Sequence, residues 1–418
     1  MTTTTTTEPA AQSQASPSAS APAPAPAPER SPFRRWLSGI ANASDLGMLP
    51  VIAALIIIWI VFEVMNANFL TPRNLSNLAA QIVVTGMLAL AEIYIILLGM
   101  IDLSIGWNSV LAAGIFSLST VFFHLPVVIG LILGIGVATV VGLAQGILVS
   151  RVGVPSFVVT LGGAMVAEGL TLGILTPHGG SVPLSDTFTT AIGTLDLAPV
   201  WSWAVSIVLF GAYAIFTLNR IRKRFAGGQE GGYAAVMRLI GVGIMVFGGV
   251  AMLNAYRGVP FLLLIFLFAL FVSAFVTKST QFGRHLYAVG GNEEASRRAG
   301  ISVRGIQLAV FIIAGFLVGL AGYLDAARLG VASASVGNGD IMLNAIAAAV
   351  IGGTSLFGGR GSVYGALFGA LVIESVSNGM NLLGAASSER FIVEGVILLG
   401  AITIDTLLRL KRLRTGRA

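Results

Sequence analysis

Three carboxylates sit inside long apolar runs: Glu92, Glu168 and Glu374. A charged side chain is costly in hydrocarbon, so each should face a bundle interior or a watery path. Their available chemistry is proton relay, contact with a polar solute, or a structural hydrogen bond between helices. Asn344, Asn378 and Asn381 lie in further apolar runs. Their amides offer donors and acceptors, which a hydroxyl-rich solute would need in small number. Asp102 and Ser104 stand at the start of another run, where an Asp can cap a helix N-terminus.

A second group has a different character. The stretch Gly290-Gly291-Asn292-Glu293-Glu294-Ala295-Ser296-Arg297-Arg298-Ala299-Gly300 carries the signals of one short helix in order. Asn292 can cap the N-terminus, and Glu293 and Glu294 fall in the positive first turn. Arg297 and Arg298 fall in the negative last turn, and Gly300 suits the left-handed position after it. A helix this short is marginal alone. Either a docked partner or the membrane surface must hold it.

Other chemistry is poorly supplied. There is no Cys, so thiol chemistry and thiolate metal sites are excluded. His124, His178 and His285 have no ligand spacing, so no metal site is expected. The chain has three Lys, and none stands in a phosphate-binding Gly-x-x-x-x-Gly-Lys-Ser/Thr arrangement. No nucleotide site and no cofactor are expected.

The elements that hold these residues follow from composition. Of 418 residues 56% are hydrophobic and 10% are charged, against about 25% charged in a soluble protein. The mean hydropathy is +0.90. So few charges cannot cover a soluble surface, and soluble enzymes and nucleic-acid binders are excluded. The apolar runs are continuous, which excludes a membrane β-barrel. An all-α polytopic membrane protein is expected.

Twelve apolar segments approach the length needed to cross about 30 Å of hydrocarbon. They lie near 48–65, 78–98, 105–123, 126–149, 155–175, 200–219, 235–253, 258–277, 306–327, 341–356, 363–383 and 390–409. Residues 1–45 form a Thr/Ala/Pro-rich tail expected to be disordered. Residues 46–410 form the membrane domain, and 411–418 a basic tail. Lys and Arg set the orientation. With both termini in the cytosol, only Arg73, Arg257, Arg328 and Arg390 face outward, and the other 20 of 24 basic residues lie inside. The net charge of +6 therefore marks an inner face. Trp36, Trp59, Trp201 and Trp203 suit interface belts or packing.

Small residues recur every fourth position at Gly130, Gly134, Ala138, Gly142 and Gly146, and again at Gly361, Gly365 and Gly369. These stripes let helices pack closely. Gly99, Leu103, Gly106, Ser109 and Val110 echo Gly352, Leu356, Gly359, Ser362 and Val363, a weak sign of an internal repeat.

Several motifs carry a resemblance. Glu294 to Gly300 resembles the Glu-Ala-Ala-x-x-x-Gly motif of ABC importer permeases, with Ser296 replacing the second Ala. Gly99-Met100-Ile101-Asp102-Leu103-Ser104-Ile105-Gly106 is similar to the Gly-Gly-Ile-Asp-Leu-Ser-Val-Gly of ribose/xylose-type sugar permeases, with Met100 departing. Val154 to Leu161 matches their Val-Pro-Ser-Phe-Ile-Val-Thr-Leu closely. The run from Ala347 to Val363, with Gly352, Gly353, Gly358 and Gly359, and the Asn378–Asn381 segment agree as well. The resemblance covers about residues 50–410.

It implies a ten-helix permease core plus an inserted pair in 199–256, as in the xylose-type permeases. It further implies a cytosolic ABC ATPase docking on loop 278–305, through Gly291, Asn292, Glu293, Glu294, Ala295, Arg297, Arg298 and Gly300. An extracytoplasmic sugar-binding protein and a second permease copy complete the implied assembly, in a bacterial inner membrane. The implied cargo is a monosaccharide, most readily a pentose, and the chain itself is no enzyme. A proton-coupled secondary transporter using the buried Glu residues, and a membrane scaffold or receptor, are the competing readings.

Overall fold

The computed structural model describes residues 49–184, 186–226, 232–337 and 340–414, with an isolated Thr2. The rest of the N-terminal tail and residues 415–418 lie outside the described residues. Among the described residues, fifteen α-helices account for nearly all regular structure. They are α1 (Leu49–Met65), α2 (Pro72–Leu97), α3 (Ile105–Val121), α4 (Val127–Ile147), α5 (Ser156–Leu175), α6 (Thr187–Thr194), α7 (Pro199–Ala226) and α8 (Gly232–Asn254). They continue with α9 (Phe261–Ser279), α10 (Gln281–Gly291), α11 (Glu293–Arg298), α12 (Val303–Leu329), α13 (Asp340–Ile351), α14 (Gly365–Leu382) and α15 (Ser387–Arg414). A helix lies over each of the twelve apolar segments. Seven are long and apolar enough to cross a membrane: α2, α4, α5, α7, α8, α9 and α12. The chain is a polytopic, all-α membrane protein.

Prolines mark the helix starts. Pro72 occupies the first turn of α2, and Pro126, Pro155 and Pro260 immediately precede α4, α5 and α9. The missing N–H costs nothing there, because the first N–H groups of a helix have no internal partner. Thr71 caps α2 and Asp186 caps α6.

Helix α2 is the hub. Every residue from Ile82 to Leu97 is buried, as an all-round apolar helix must be in a bundle core. Around it pack α12, α13, α14 and α9. The pair α7 and α8 stands at the other extreme, packed mainly on each other, with 6% and 18% of their apolar windows buried.

The contacts carry an internal symmetry. The pairs α3–α4, α3–α5, α4–α5, α4–α12 and α3–α12 recur as α13–α14, α13–α15, α14–α15, α14–α2 and α13–α2. The exchange relates α2–α5 to α12–α15. Helix α2 ends at Leu97 where α12 begins, because α10 touches both, so the repeat is inverted. The sequence echo had set Gly99 against Gly352, a different register. Those two loops are neighbours in space instead: Gly99 lies against Phe357 and Gly358. Both are glycine-rich because both must approach another backbone closely.

At one end of the bundle short strands close the structure. Strand β1 (Ser181–Pro183) pairs with β4 (Val331–Ser333), and β2 (Asp196–Leu197) with β3 (Val259–Pro260), both antiparallel. Helices α10 and α11 lie at the opposite end.

Close packing makes one prediction. A Cβ at Gly142 would strike the Phe311 carbonyl of α12, whereas Gly136 of the same helix faces open space. Gly142→Val should destabilise by about 1–3 kcal/mol or more, and Gly136→Val should be near neutral. Thermal unfolding of the purified variants in detergent checks this; equal stability of the two would contradict the packing.

Candidate functional site

Helix α11 is built as its residue order implies. The Asn292 side chain accepts from the Ala295 N–H at 2.9 Å. Arg297 pairs with Glu293 at 2.7 Å and with Glu294 at 3.4 Å, and Arg298 with Glu294 at 3.0 Å. All four side chains are solvent-exposed, so these pairs contribute only a few tenths of a kcal/mol each, ~0.3–0.5. Gly300 takes φ of 81°. Its N–H reaches the Arg297 carbonyl and that of Ile301 reaches Ser296, which closes the helix with a Schellman turn. Ala295 lies on the exposed surface, and Ser296 is buried beneath it.

The helix does not stand alone. Helix α10, capped by Thr280, precedes it and buries Gly283, Leu286 and Val289 against the bundle. Its last turn meets other backbone directly. A Cβ at Gly290 would land on the Leu97 carbonyl, and one at Gly358 would crowd Gly290 and Gly99. The Gly359 N–H donates to the Leu97 carbonyl at 2.9 Å, and the Tyr287 hydroxyl donates to the Gly361 carbonyl at 3.0 Å. Burial, with Tyr94 nearby, pushes the Tyr287 phenol above its usual value, so it stays a donor at neutral pH. The α10–α11 hairpin, the end of α2 and the 352–364 loop thus form one rigid junction. Gly358 and Gly359 both take positive φ here, as does Gly353. Gly352 packs backbone to backbone on Gly365.

Helices α2 and α14 share a polar ladder. Thr85 donates to Glu374. Asn378 accepts from Asn74 at 2.8 Å and donates to Gln81 at 3.2 Å. Next to it Trp59 of α1 donates to Ser375 at 2.9 Å, which makes it a packing residue and not a belt. Asn74, Gln81 and Thr85 were not singled out from sequence. Their spacing of seven and four on one helix face, in an apolar run, was the available signal.

The Asp102 segment is a break between α2 and α3. Between α2 and α3 the chain turns back, so that the Asp102 N–H meets Glu92 at 3.2 Å. Asp102 does not cap α3. Ser104 holds the cap position, and Asp102 accepts from its N–H at 2.7 Å and its hydroxyl at 2.6 Å. The carboxylate is spent two residues short of the first helical N–H groups. Gln145 of α4 donates to Ser104 and Thr160 of α5 accepts from Leu103. Sequence reading missed both. Glu92 is fully buried, and its second oxygen has no partner among the described residues.

The remaining candidates do not converge on one place. Glu168 is half-buried on α5 and makes no hydrogen bond or ion pair among the described residues. Asn381 is exposed near the end of α14. Asn344 is half-buried on α13, near Glu394 of α15. Glu92 and Glu374 thus occupy separate polar groups. Among the described residues no cluster of His, Asp and Glu has metal-binding geometry.

Comparison with known proteins adds what geometry cannot. Residues 74–402 match the family model described as "Branched-chain amino acid transport system / permease component". The xylose transport system permease protein XylH of Haemophilus influenzae is 36% identical over 369 residues, 87% of this chain and 96% of its own. XylH of Escherichia coli K12 is also 36% identical, over 87% of this chain and 92% of its own. The ribose import permease protein RbsC of the same strain is 31% identical over 85% of this chain and 92% of its own. No solved structure matches significantly. The family match spans both the α10–α11 junction and the α2–α14 ladder, and on that basis the chain belongs to this family of transport permeases.

Proposed function

We propose that this chain is the membrane-spanning subunit of an ATP-driven importer for a monosaccharide, most directly a pentose such as xylose. The observation that carries the reading is the near full-length similarity to xylose and ribose permeases, together with the exposed, capped α11 locked onto the bundle. A cytosolic ATPase docks on Gly291 to Gly300, and a separate binding protein delivers sugar at the β-strand end. Two permease copies form the pathway, in a bacterial inner membrane. Twelve crossings with both termini cytosolic keep the basic residues with α11. Helices α7 and α8, the 199–256 insert, ride on the periphery. ATP hydrolysis belongs to the partner chain, because no phosphate-binding Lys motif exists here.

The junction gives the mechanism its mechanical content. Backbone packed on backbone has no side-chain rotamers to absorb a displacement. A push on α11 passes through Gly290 to Leu97 of α2 and through Gly358–Gly361 to α14. The ladder helices then shift as a unit. A proton-coupled transporter is the second reading, and the buried, unpartnered oxygen of Glu92 is what favours it.

Two outcomes test the proposal. In vesicles containing the permease, ATPase and binding protein, pentose uptake should require ATP; uptake driven by a pH gradient alone would select the second reading. Gly290→Val should lower ATP-driven uptake by about tenfold, within the range for residues on a coupling path, while the ATPase still co-purifies. Undiminished uptake in that variant would remove the junction from the mechanism.

A further inference from the structure

The α11 end of the bundle carries positive charge outside α11 itself. Arg284 lies on α10 and Arg304 in the first turn of α12. Arg360 lies in the 352–364 loop, and Arg151 in the π turn Leu148–Val152 that follows α4. All four are exposed, and none makes an ion pair among the described residues. The only carboxylates on these elements and α11 are Glu293 and Glu294, and both are already paired with Arg297 and Arg298. Six arginines against two glutamates leave a surplus of four positive charges, all on Arg151, Arg284, Arg304 and Arg360.

Backbone contacts gather these four positions around α11. A Cβ at Gly359 would stand 2.6 Å from the Gly291 Cα, so Arg360 borders the entry to α11. Arg284 is on the helix that leads into α11, and Arg304 follows the Gly300–Ser302 turn that leaves it. A Cβ at Gly146 would stand 3.5 Å from the Leu308 Cα, and the π turn just beyond packs on α12. Arg151 therefore lies beside the start of α12.

The place of this charge separates it from a plain orientation signal. Loop charge bias orients a chain wherever on the inner end it falls. The run Arg220 to Arg224 belongs to α7, which packs mainly on α8 at the periphery, where lipid is in reach. The α11 group instead stands over the end of α2, the fully buried hub, whose Leu97 carbonyl receives the Gly359 N–H. Water or a protein, not a lipid headgroup, meets a surface over the core.

We propose that the partner docking on α11 presents a carboxylate-rich surface, and that Arg151, Arg284, Arg304 and Arg360 hold it by ion pairing around the helix. The guanidinium fork matches a carboxylate with two parallel hydrogen bonds. Helix α11, neutral through its own pairs, supplies shape; the four arginines supply attraction and steer the encounter. This inference rests on the reading that an ATPase docks here and adds the chemistry of the surface it must bring.

The test titrates the importer's ATPase subunit onto full-length permease in neutral phosphatidylcholine nanodiscs. Binding is read from about 0.1 M to about 1 M NaCl, over which the screening length falls from about 10 Å to about 3 Å. Wild-type affinity should fall by about tenfold across that range, as for a few exposed ion pairs acting together. Arg151→Gln, Arg284→Gln, Arg304→Gln and Arg360→Gln combined should cost about tenfold at the lower salt and leave little salt dependence. The same four positions changed to Lys should restore most of both, with unfolding temperatures like wild type in each case. The proposal fails if wild-type binding ignores salt, or if the Gln variant binds as wild type does. It fails equally if the Gln variant differs from wild type only in nanodiscs containing phosphatidylglycerol, which would assign the arginines to lipid. In each of these cases the ATPase still binds, so the docking reading stands. No binding of the ATPase to wild type at the lower salt overturns the docking reading, and this inference with it.

Discussion

Every backbone N–H and C=O at membrane depth must find a protein partner, because hydrocarbon offers none. The helices meet this demand internally. Two non-helical segments at the α10 end of the bundle do not: residues 98–104 after α2, and 352–364 after α13. Their partners come from elsewhere in the chain. Leu103 donates to Thr160, Ser104 to Asp102, Ser355 to the Arg360 carbonyl, and Gly359 to Leu97. The glycines of these segments let backbones come close enough for such bonds, and in doing so they join α10 to both.

That requirement makes α2 the mechanical centre. Its C-terminal end carries the Leu97 carbonyl that receives Gly359, and its N-terminal half carries Asn74, Gln81 and Thr85 against α14. One buried helix therefore links the surface that bears α11 to the polar groups deep in the bundle. The inverted repeat explains why both long core helices, α2 and α12, end beside a chain reversal and a short helix. Each reversal gathers carboxylates: Glu92 and Asp102 near α3, Asp325 and Asp340 near α13. Pairs and hydrogen bonds stabilise most of them.

The helices over the twelve apolar segments and α11 were legible from local residues alone. Asn292, Glu293, Glu294, Arg297, Arg298 and Gly300 interact within one or two turns, so their order is their geometry. Glu374 and Asn378 stood out because polar groups in apolar runs are costly. Their partners did not, since Thr85 and Glu374 are joined only when helices nearly 300 residues apart meet. Asp102 was misjudged as a cap for the same reason: the chain reversal that directs it to Ser104 depends on Glu92, Gln145 and Thr160 from three other elements.

Sequence alone determined the class of molecule, the helix positions and the capped surface helix. These rest on hydropathy, charge placement and contacts within a few residues, all of which act locally along the chain. Only the tertiary structure decided which polar residues share a site. It separated Glu92 from Glu374 and left Glu168 and Asn381 apart. The physical reason is that burial and hydrogen-bond partnership in a bundle depend on which helix faces meet. Glycine contacts and long-range pairing choose those faces.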